Sequence, residues 1–201
     1  MGIRAKQRYF SELAPRWDGL PAPAGAPGKV QAFVRRAAVA GARRILDAGC
    51  GTGILLPALL EQCPEARVVE LDLALDMLRV NAGRFADPRA LRVCTDGARL
   101  PFPGASFDAV LCFGVLPHFE DLAAALAEMR RVLRPGGALA VGHLMGSREL
   151  NAFHRSLGQP VAGDVLPPSE ELAAHLSRLG MVRIQAEEAP DWYFVRGEKL
   201  P

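Results

Sequence analysis

The sequence predicts an α/β domain: a seven-stranded, mostly parallel sheet with an antiparallel last strand and helices on both faces. Three observations predict it. From residue 43 onward, short apolar runs alternate with segments of helical periodicity, the pattern of strand–helix–strand units. The turn AGCGTG (48–53) links the first such strand to a helix through three glycines at alternate positions. Acidic residues also close three successive strands, at Asp47, Asp72 and Asp96. Their carboxylates meet at the carboxyl edge of the sheet, where open α/β sheets take their ligands.

Each element has its own justification. Residues 6–13 are amphipathic and open the chain with a short helix, followed by APRWD. LPAPAGAPG (20–28) is dense in proline and glycine and reads as a linker. An alanine- and valine-rich helix covers 29–42. RRILDAG (43–49) is a buried strand and 53–62 a helix. ARVVELD (66–72) is the second strand, and 74–84 a helix with Leu75 and Leu78 one turn apart. LRVCTD (91–96) and FDAVLCF (107–113) are the third and fourth strands. Asp121 suits the N-cap of a helix over 122–133, which RPGG (134–137) ends before the fifth strand, GALAVGH. A helix around 149–157 follows, then another capped by Ser169. MVRIQAEE (181–188) and DWYFVRG (191–197) close the sheet as an antiparallel pair.

Bulk properties narrow the function. Half the residues are hydrophobic, enough for one core that buries roughly 70% of the unfolded surface. A formal charge of +2 gives no electrostatic case for nucleic-acid or membrane binding. Cys50, Cys63, Cys94 and Cys112 lack the spacing of a zinc or redox motif and read as reduced thiols. No apolar run approaches ~18 residues and no signal pattern opens the chain, so the expectation is a cytoplasmic protein without a membrane span. Oligomeric state is not legible.

ILDAGCGTG (45–53) is the most informative segment. Glycines there allow positive φ and close approach of the backbone to a ligand. A tight strand-to-helix turn alone needs nothing more. A dinucleotide fingerprint, counted from Gly49, requires glycine or alanine where Ile54 stands. Asp47 would also repel a pyrophosphate; a carboxylate there suits a cationic or amine-bearing ligand. Asp72, which follows Gly53 by 19 positions at the end of the second strand, is placed to take both hydroxyls of a ribose.

ILDAGCGTG, VVELDLALDML, TDGARLPFPGASFDAV and EMRRVLRPGGALAV together resemble class I S-adenosylmethionine-dependent methyltransferases of the ubiquinone/menaquinone-biosynthesis type, in order from about residue 9 to 143. The resemblance implies a Rossmann-like methyltransferase fold with S-adenosylmethionine as cofactor. It implies that Asp47 and the loop Gly49, Cys50, Gly51 and Gly53 hold the methionine part, and Asp72 the ribose. Leu73 and Met77 would flank the adenine, whose edge Asp96, Gly97 and the Ala98 backbone would read. Phe113, Gly114 and Val115 would line the sulfonium side. YFSELAPRWD resembles the branch's entry helix, with Tyr9 and Trp17 over the cofactor. Glu70 departs from the family, which commonly has a small residue there. The division implied is a single domain over 1–201: cover and linker to residue 28, cofactor core 29–143, substrate lid 144–170, closing helix and strands 171–201.

Methyl transfer from a sulfonium is an in-line displacement, so the protein mainly aligns nucleophile, methyl carbon and sulfur. A base is needed only where the nucleophile must shed a proton, as in a phenol or acidic carbon, and histidine suits neutral pH. His118, His143 and His154 lie near the predicted carboxyl edge and are the catalytic candidates, with packing as the plain alternative for His118. His175 reads as a surface residue. Over 147–157, Ser147, Asn151 and His154 share one helical face, while Leu150, Phe153 and Leu157 form the apolar face expected to hold the helix on the body. A solvated helix N-capped by Ser147 is the plain reading. His143, Arg148, Asn151 and His154 are the expected acceptor-site residues, Arg148 pairing an anionic or carbonyl group. LGQPVAGDVLPPSEE suits a mobile cover, and Asp164, Asp191 and Tyr193 are placed to reach the same pocket.

The expected function is methyl transfer to a small-molecule acceptor, on an aromatic or enolic carbon or an oxygen. No metal is assigned, although His143, His154 and Asp164 as a metal-assisted acceptor site stay an alternative. So does a cofactor-binding protein without transfer. Nucleic acid is not the expected partner: FGVLPHF lacks the Asn-Pro-Pro-Tyr character used on flipped bases.

Overall fold

In the computed structural model, which describes residues 2–200, five apolar runs pair in parallel. They are β1 (Arg44–Ala48), β2 (Arg67–Asp72), β3 (Ala90–Cys94), β4 (Phe107–Phe113) and β5 (Leu133–His143). β6 (Met181–Ala189) pairs with β7 (Trp192–Lys199), which runs antiparallel to both β6 and β5. The spatial order is β3-β2-β1-β4-β5-β7-β6. Order therefore reverses between β1 and β4, which opens a crevice above their carboxyl ends. Met1 and Pro201, the ends of the expected division, lie outside the described residues.

Among the described residues, seven α-helices accompany the sheet: α1 (Ile3–Leu13), α2 (Ala26–Arg36), α3 (Leu56–Gln62), α4 (Leu75–Arg84), α5 (Leu122–Val132), α6 (Ser147–Leu157) and α7 (Ser169–Arg178). Alternation along the strands sorts the core into two layers. Leu46, Val110, Cys112, Leu139 and Val141 pack under α5 and α7. Ile45, Val68, Ala109, Leu111 and Ala140 pack under α2 and α3. Asp47, Glu70 and Asp72 share the parity of Ile45 and Val68, so all three acids point to the second layer. Asp121 caps α5 as expected, its Oδ1 accepting from the Ala124 N–H at 2.9 Å.

Several boundaries move. The linker is shorter because Ala26 and Pro27 already form the first turn of α2, where proline's fixed φ and missing N–H cost nothing. α2 ends at Arg36 rather than 42, and Ala38 and Gly41, both at positive φ, reverse the chain. Gly53 has φ 89°, outside the right-handed helical region, and α3 starts only at Leu56. RPGG does not form a separate turn: β5 begins at Leu133, and the pairing with β4 shifts register between Phe107 and Ala109 to absorb it. Ser169 is the first residue of α7 rather than its cap. Among the described residues, no helix is long and apolar enough to cross a membrane.

Candidate active site

The turn after β1 is held by the next strand. The N–H groups of Gly49 and Cys50 both donate to the Leu71 carbonyl, at 2.7 and 2.9 Å. The three glycines then serve different ends. A Cβ on Gly49 would stand 2.5 Å from the Val115 methyls, and one on Gly53 would stand 2.7 Å from Asn81 Nδ2. A Cβ on Gly51 would meet nothing within 4 Å. Two glycines let the turn pack; the third faces open space. Asp72 ties this turn to the start of α4, its Oδ2 accepting from Gly51 N–H (2.9 Å) and its Oδ1 from Ala74 N–H (2.8 Å).

Behind the turn, Asp47 is 1% exposed, and its Oδ2 is sealed from solvent with no hydrogen-bond partner among the described residues. Burial, then the charges of Glu70 and Asp72, push its carboxyl well above the usual range. Glu70 is fully buried and stands opposite Asp47 across the β1–β2 pair. It accepts from Asn81 Nδ2 at 2.8 Å and lies 3.5 Å from the Arg92 guanidinium, which in turn donates to Asn81 Oδ1. Burial raises the Glu70 pKa against those two partners. Burial likewise raises Asp72, against the N–H groups of Ala74 and Gly51.

One cavity lies over this edge. Gly49, Gly51, Asp72, Leu73, Met77, Asp96, Gly97, Gly114, Val115 and His118 line it. Trp17 roofs it, together with residues that sequence reasoning passed over: Ile3, Lys6 and Phe10 of α1, and Thr95, Phe119 and Glu120. The amphipathic pattern of α1 was the available signal for the first three. Other expected residues fall elsewhere. Tyr9 does not line the cavity but packs edge-on against Phe10. Cys50 and Gly53 are buried in the turn, and Asp47 sits beneath it. Phe113 points into the core and packs on Phe33, ring centroids 4.8 Å apart. The Ala98 N–H is taken by Asp96 Oδ1, at 3.0 Å, so it is engaged within its own turn.

The expected orientation of α6 is inverted. Its polar stripe faces inward: Ser147 and His154 are buried, while Phe153 and Leu157 are exposed and only Leu150 of the apolar set packs on the core. The stripe is taken up by the chain that follows. Asn151 donates to the Leu166 carbonyl (2.9 Å) and accepts its N–H (2.8 Å), and His154 Nδ1 bonds the Asp164 carbonyl at 2.9 Å. Arg148 is exposed and does not line the cavity. His143 is buried against Tyr193, its Nε2 without a partner among the described residues, and burial followed by the nearby His118 and His154 pushes its pKa down to about 3. Tyr193 is buried and bonds the Pro167 carbonyl, and exposed Asp191 pairs with Lys29. Neither reaches the cavity. Among the described residues, His143, His154 and Asp164 do not gather as a metal-ligand set, because the Asp164 carboxylate faces Lys6 and His118.

Only His118 of the three histidines borders the cavity, in the short turn Leu116–His118 after β4. Its Nδ1 lies 2.6 Å from Asp164 Oδ2, and Asp164 Oδ1 lies 2.7 Å from Lys6 Nζ. Asp164 is 7% exposed; burial raises its pKa, but the bonds from His118 and Lys6 outweigh that and leave it below the usual value.

Residues 46–141 match a family model described as a methyltransferase domain. The demethylmenaquinone methyltransferase of Roseiflexus castenholzii is 33% identical over 199 residues, spanning 87% of this chain and 84% of that protein. The chain belongs to the UbiE-type family of S-adenosylmethionine-dependent methyltransferases. A second relative, the ubiquinone/menaquinone biosynthesis C-methyltransferase UbiE of Bordetella parapertussis, is 40% identical over 90% of this methyltransferase and 81% of its own length. A solved S-adenosylmethionine-dependent methyltransferase from Aquifex aeolicus shares the fold, with a TM-score of 0.72 at 15% identity over 96% of this chain and 98% of that one. S-adenosylmethionine is thus the cofactor of this methyltransferase, and a small molecule its acceptor. The residues present fit that cofactor: the sealed oxygen of Asp47 is complementary to a cation, and the open space at Gly51 admits a ligand against the backbone.

Proposed function

We propose that this methyltransferase places the methyl group on a ring carbon of a reduced quinone, as a soluble cytoplasmic enzyme with no nucleic-acid partner. The observation that carries this reading is the cavity itself. Its lining brings the Asp72 carboxylate together with Phe10, Trp17, Phe119 and His118, a set that suits a planar aromatic acceptor next to an imidazole. The names of the two relatives support a quinone ring as the acceptor. The four free cysteines suit a reducing compartment.

Bound S-adenosylmethionine supplies a methyl group already activated on a sulfonium. The residues of the chain do the rest. Asp47 would receive the cofactor's ammonium, the partner its Oδ2 lacks, and the Gly49–Gly53 turn would lie along the methionine part. Asp72 keeps lone pairs for the ribose hydroxyls while holding Gly51 and Ala74. Leu73, Met77, Asp96 and Gly97 would enclose the adenine, and Gly114 and Val115 the reacting side. Residues 144–170 would act as the acceptor's lid. His118 Nε2 would take the hydroxyl proton of the acceptor as its ring carbon attacks. The methylated ring carbon then gives up its hydrogen as a proton and the oxygen regains one, so that overall the ring gains one methyl and releases one proton.

The test is turnover with methyl-labelled S-adenosylmethionine and a reduced, short-chain demethylmenaquinone. The expected result is one labelled methyl on a ring carbon, read by NMR of the product. Label on a ring oxygen, or no transfer while S-adenosylhomocysteine still binds, would overturn the acceptor assignment.

A further inference from the structure

We propose that Asp164 is a positioning residue that orients and charges His118, and that Lys6 holds Asp164 for that task. The proposal rests on His118 as the base and deepens that reading. Asp164 accepts at Nδ1 of His118 from 2.6 Å, and a carboxylate can only accept, so Nδ1 carries the proton in the neutral ring. That leaves Nε2 as the basic nitrogen, and no hydrogen bond reaches it among the described residues. The second oxygen of Asp164 is 2.7 Å from Lys6 Nζ, and Lys6 also donates to the His118 carbonyl at 3.1 Å. Lys6 is 6% exposed and, among the described residues, is the one buried residue of α1, a cost borne only where the charge is fully partnered.

The three residues come from three separate parts of the chain. Lys6 belongs to α1, which roofs the cavity; His118 follows β4; Asp164 lies in the segment after α6, seated by His154 and Asn151. The base is therefore complete only when roof and lid segment are both docked. A carboxylate held against one imidazole nitrogen fixes its tautomer and favours the imidazolium that forms when the other nitrogen takes a proton. A plain latch between α1 and the lid would need the ion pair but not the bond to Nδ1.

Other charges face His118 too: His154, with ring centroids 5.0 Å away, buried His143, Asp72 across the cavity, and Glu120, 3.9 Å from Lys6. The experiment therefore compares two substitutions that change the local charge in opposite directions. Asp164→Asn keeps the shape but removes the negative charge; Lys6→Met leaves that charge unopposed. The His118 imidazole is titrated by NMR in the S-adenosylhomocysteine complex, and kcat is followed against pH.

In Asp164→Asn, the His118 titration and the acid limb of the rate profile, which a general base sets, should move to lower pH, with kcat reduced about 10²-fold or more. Affinity for S-adenosylhomocysteine should stay within about twofold. In Lys6→Met both should move to higher pH, and Asp164→Glu should recover part of the Asn loss. Unchanged titration in both variants overturns the proposal, as does a loss of cofactor affinity and kcat together without a shifted limb. The NMR titration needs no acceptor, so it separates failure of this proposal from failure of the quinone reading.

Discussion

Glu188 Oε1 lies 2.7 Å from the backbone nitrogen of Ser147, so a strand carboxylate caps α6 where a serine cap was expected from sequence. Its other oxygen accepts the Ser169 N–H at 2.8 Å, so one side chain on β6 caps both helices that bracket residues 158–168. Burial raises the Glu188 pKa, but the bonds from Ser147 and Ser169 outweigh it and leave it lowered. Its stabilisation is thus complete above the unfolded pKa and is lost as pH falls through the folded one. Glu188→Gln should cost about 1–3 kcal/mol, the scale of two helix caps. Urea denaturation at neutral pH measures it, and hydrogen exchange should rise on both sides of residues 158–168. Equal exchange there would count against the double cap.

Asp47→Asn should separate stability from binding. The raised pKa of Asp47 means that the folded protein without cofactor binds this proton more tightly than the unfolded chain. That protein is therefore relieved, not destabilised, as pH falls through the raised pKa toward the ordinary carboxylate range. Asn removes this dependence and should leave stability equal or about 1 kcal/mol higher. Calorimetric titration with S-adenosylmethionine should show at least a tenfold loss of affinity, and wild-type affinity should itself weaken on acidification.

Gly49→Ala and Gly51→Ala should fail differently. Both have positive φ, 80° and 53°, which costs a side chain about 1–2 kcal/mol. Only Gly49 adds a clash with Val115. Gly49→Ala should therefore lose more stability, by about 2 kcal/mol or above. Gly51→Ala should lose about 1 kcal/mol but weaken cofactor affinity beyond what that loss explains, because its methyl enters the cavity. Denaturation midpoints and cofactor titrations of the pair decide the matter.

His143 sets a further pH dependence, of opposite sign to Asp47. With its folded pKa pushed down to about 3, the unfolded chain binds the proton more tightly at mildly acid pH. Stability should be fully present above the unfolded value, ~6.5, and decline as pH falls below it. His143→Leu removes the titrating group and should flatten the curve of melting temperature against pH between those two values. A slope as steep as wild type would place its origin elsewhere.

On α6, Phe153→Ser should change stability by less than about 0.5 kcal/mol, the usual range for exposed positions. His154→Ala, which removes the bond to Asp164 and a buried ring, should cost about 1–3 kcal/mol. The sequence alone favours the reverse ranking, so thermal melts of the two variants are a direct check of which face is inward.

The sheet was legible because its signals are local: β1 to β5 each fit in a run of apolar residues, and Asp47, Asp72 and the glycine turn sit where those runs stop. Most of the cavity followed from them, from Leu73 through Val115. What local pattern cannot carry is a partner far along the chain. Periodicity showed two faces on residues 147–157 but not that Leu166 and Asp164 would saturate the polar one and so turn it inward. Lys6 looked like one charge on an amphipathic helix, since its partners lie at 118 and 164. Glu188 offered no capping motif, because its two helices begin 41 and 19 residues away.

Asp47, Glu70 and Asp72 also bear on how the enzyme lets go. The methyl donor carries a positive sulfonium that its thioether product lacks. With the donor bound as proposed, an edge carrying two buried acids, Asp47 and Glu70, and the half-buried Asp72, with the Arg92 guanidinium nearby, would hold the fresh donor more strongly than the spent one. On that placement each turnover would weaken the attraction that began it, and exchange of product for substrate would follow from the charge of the pocket.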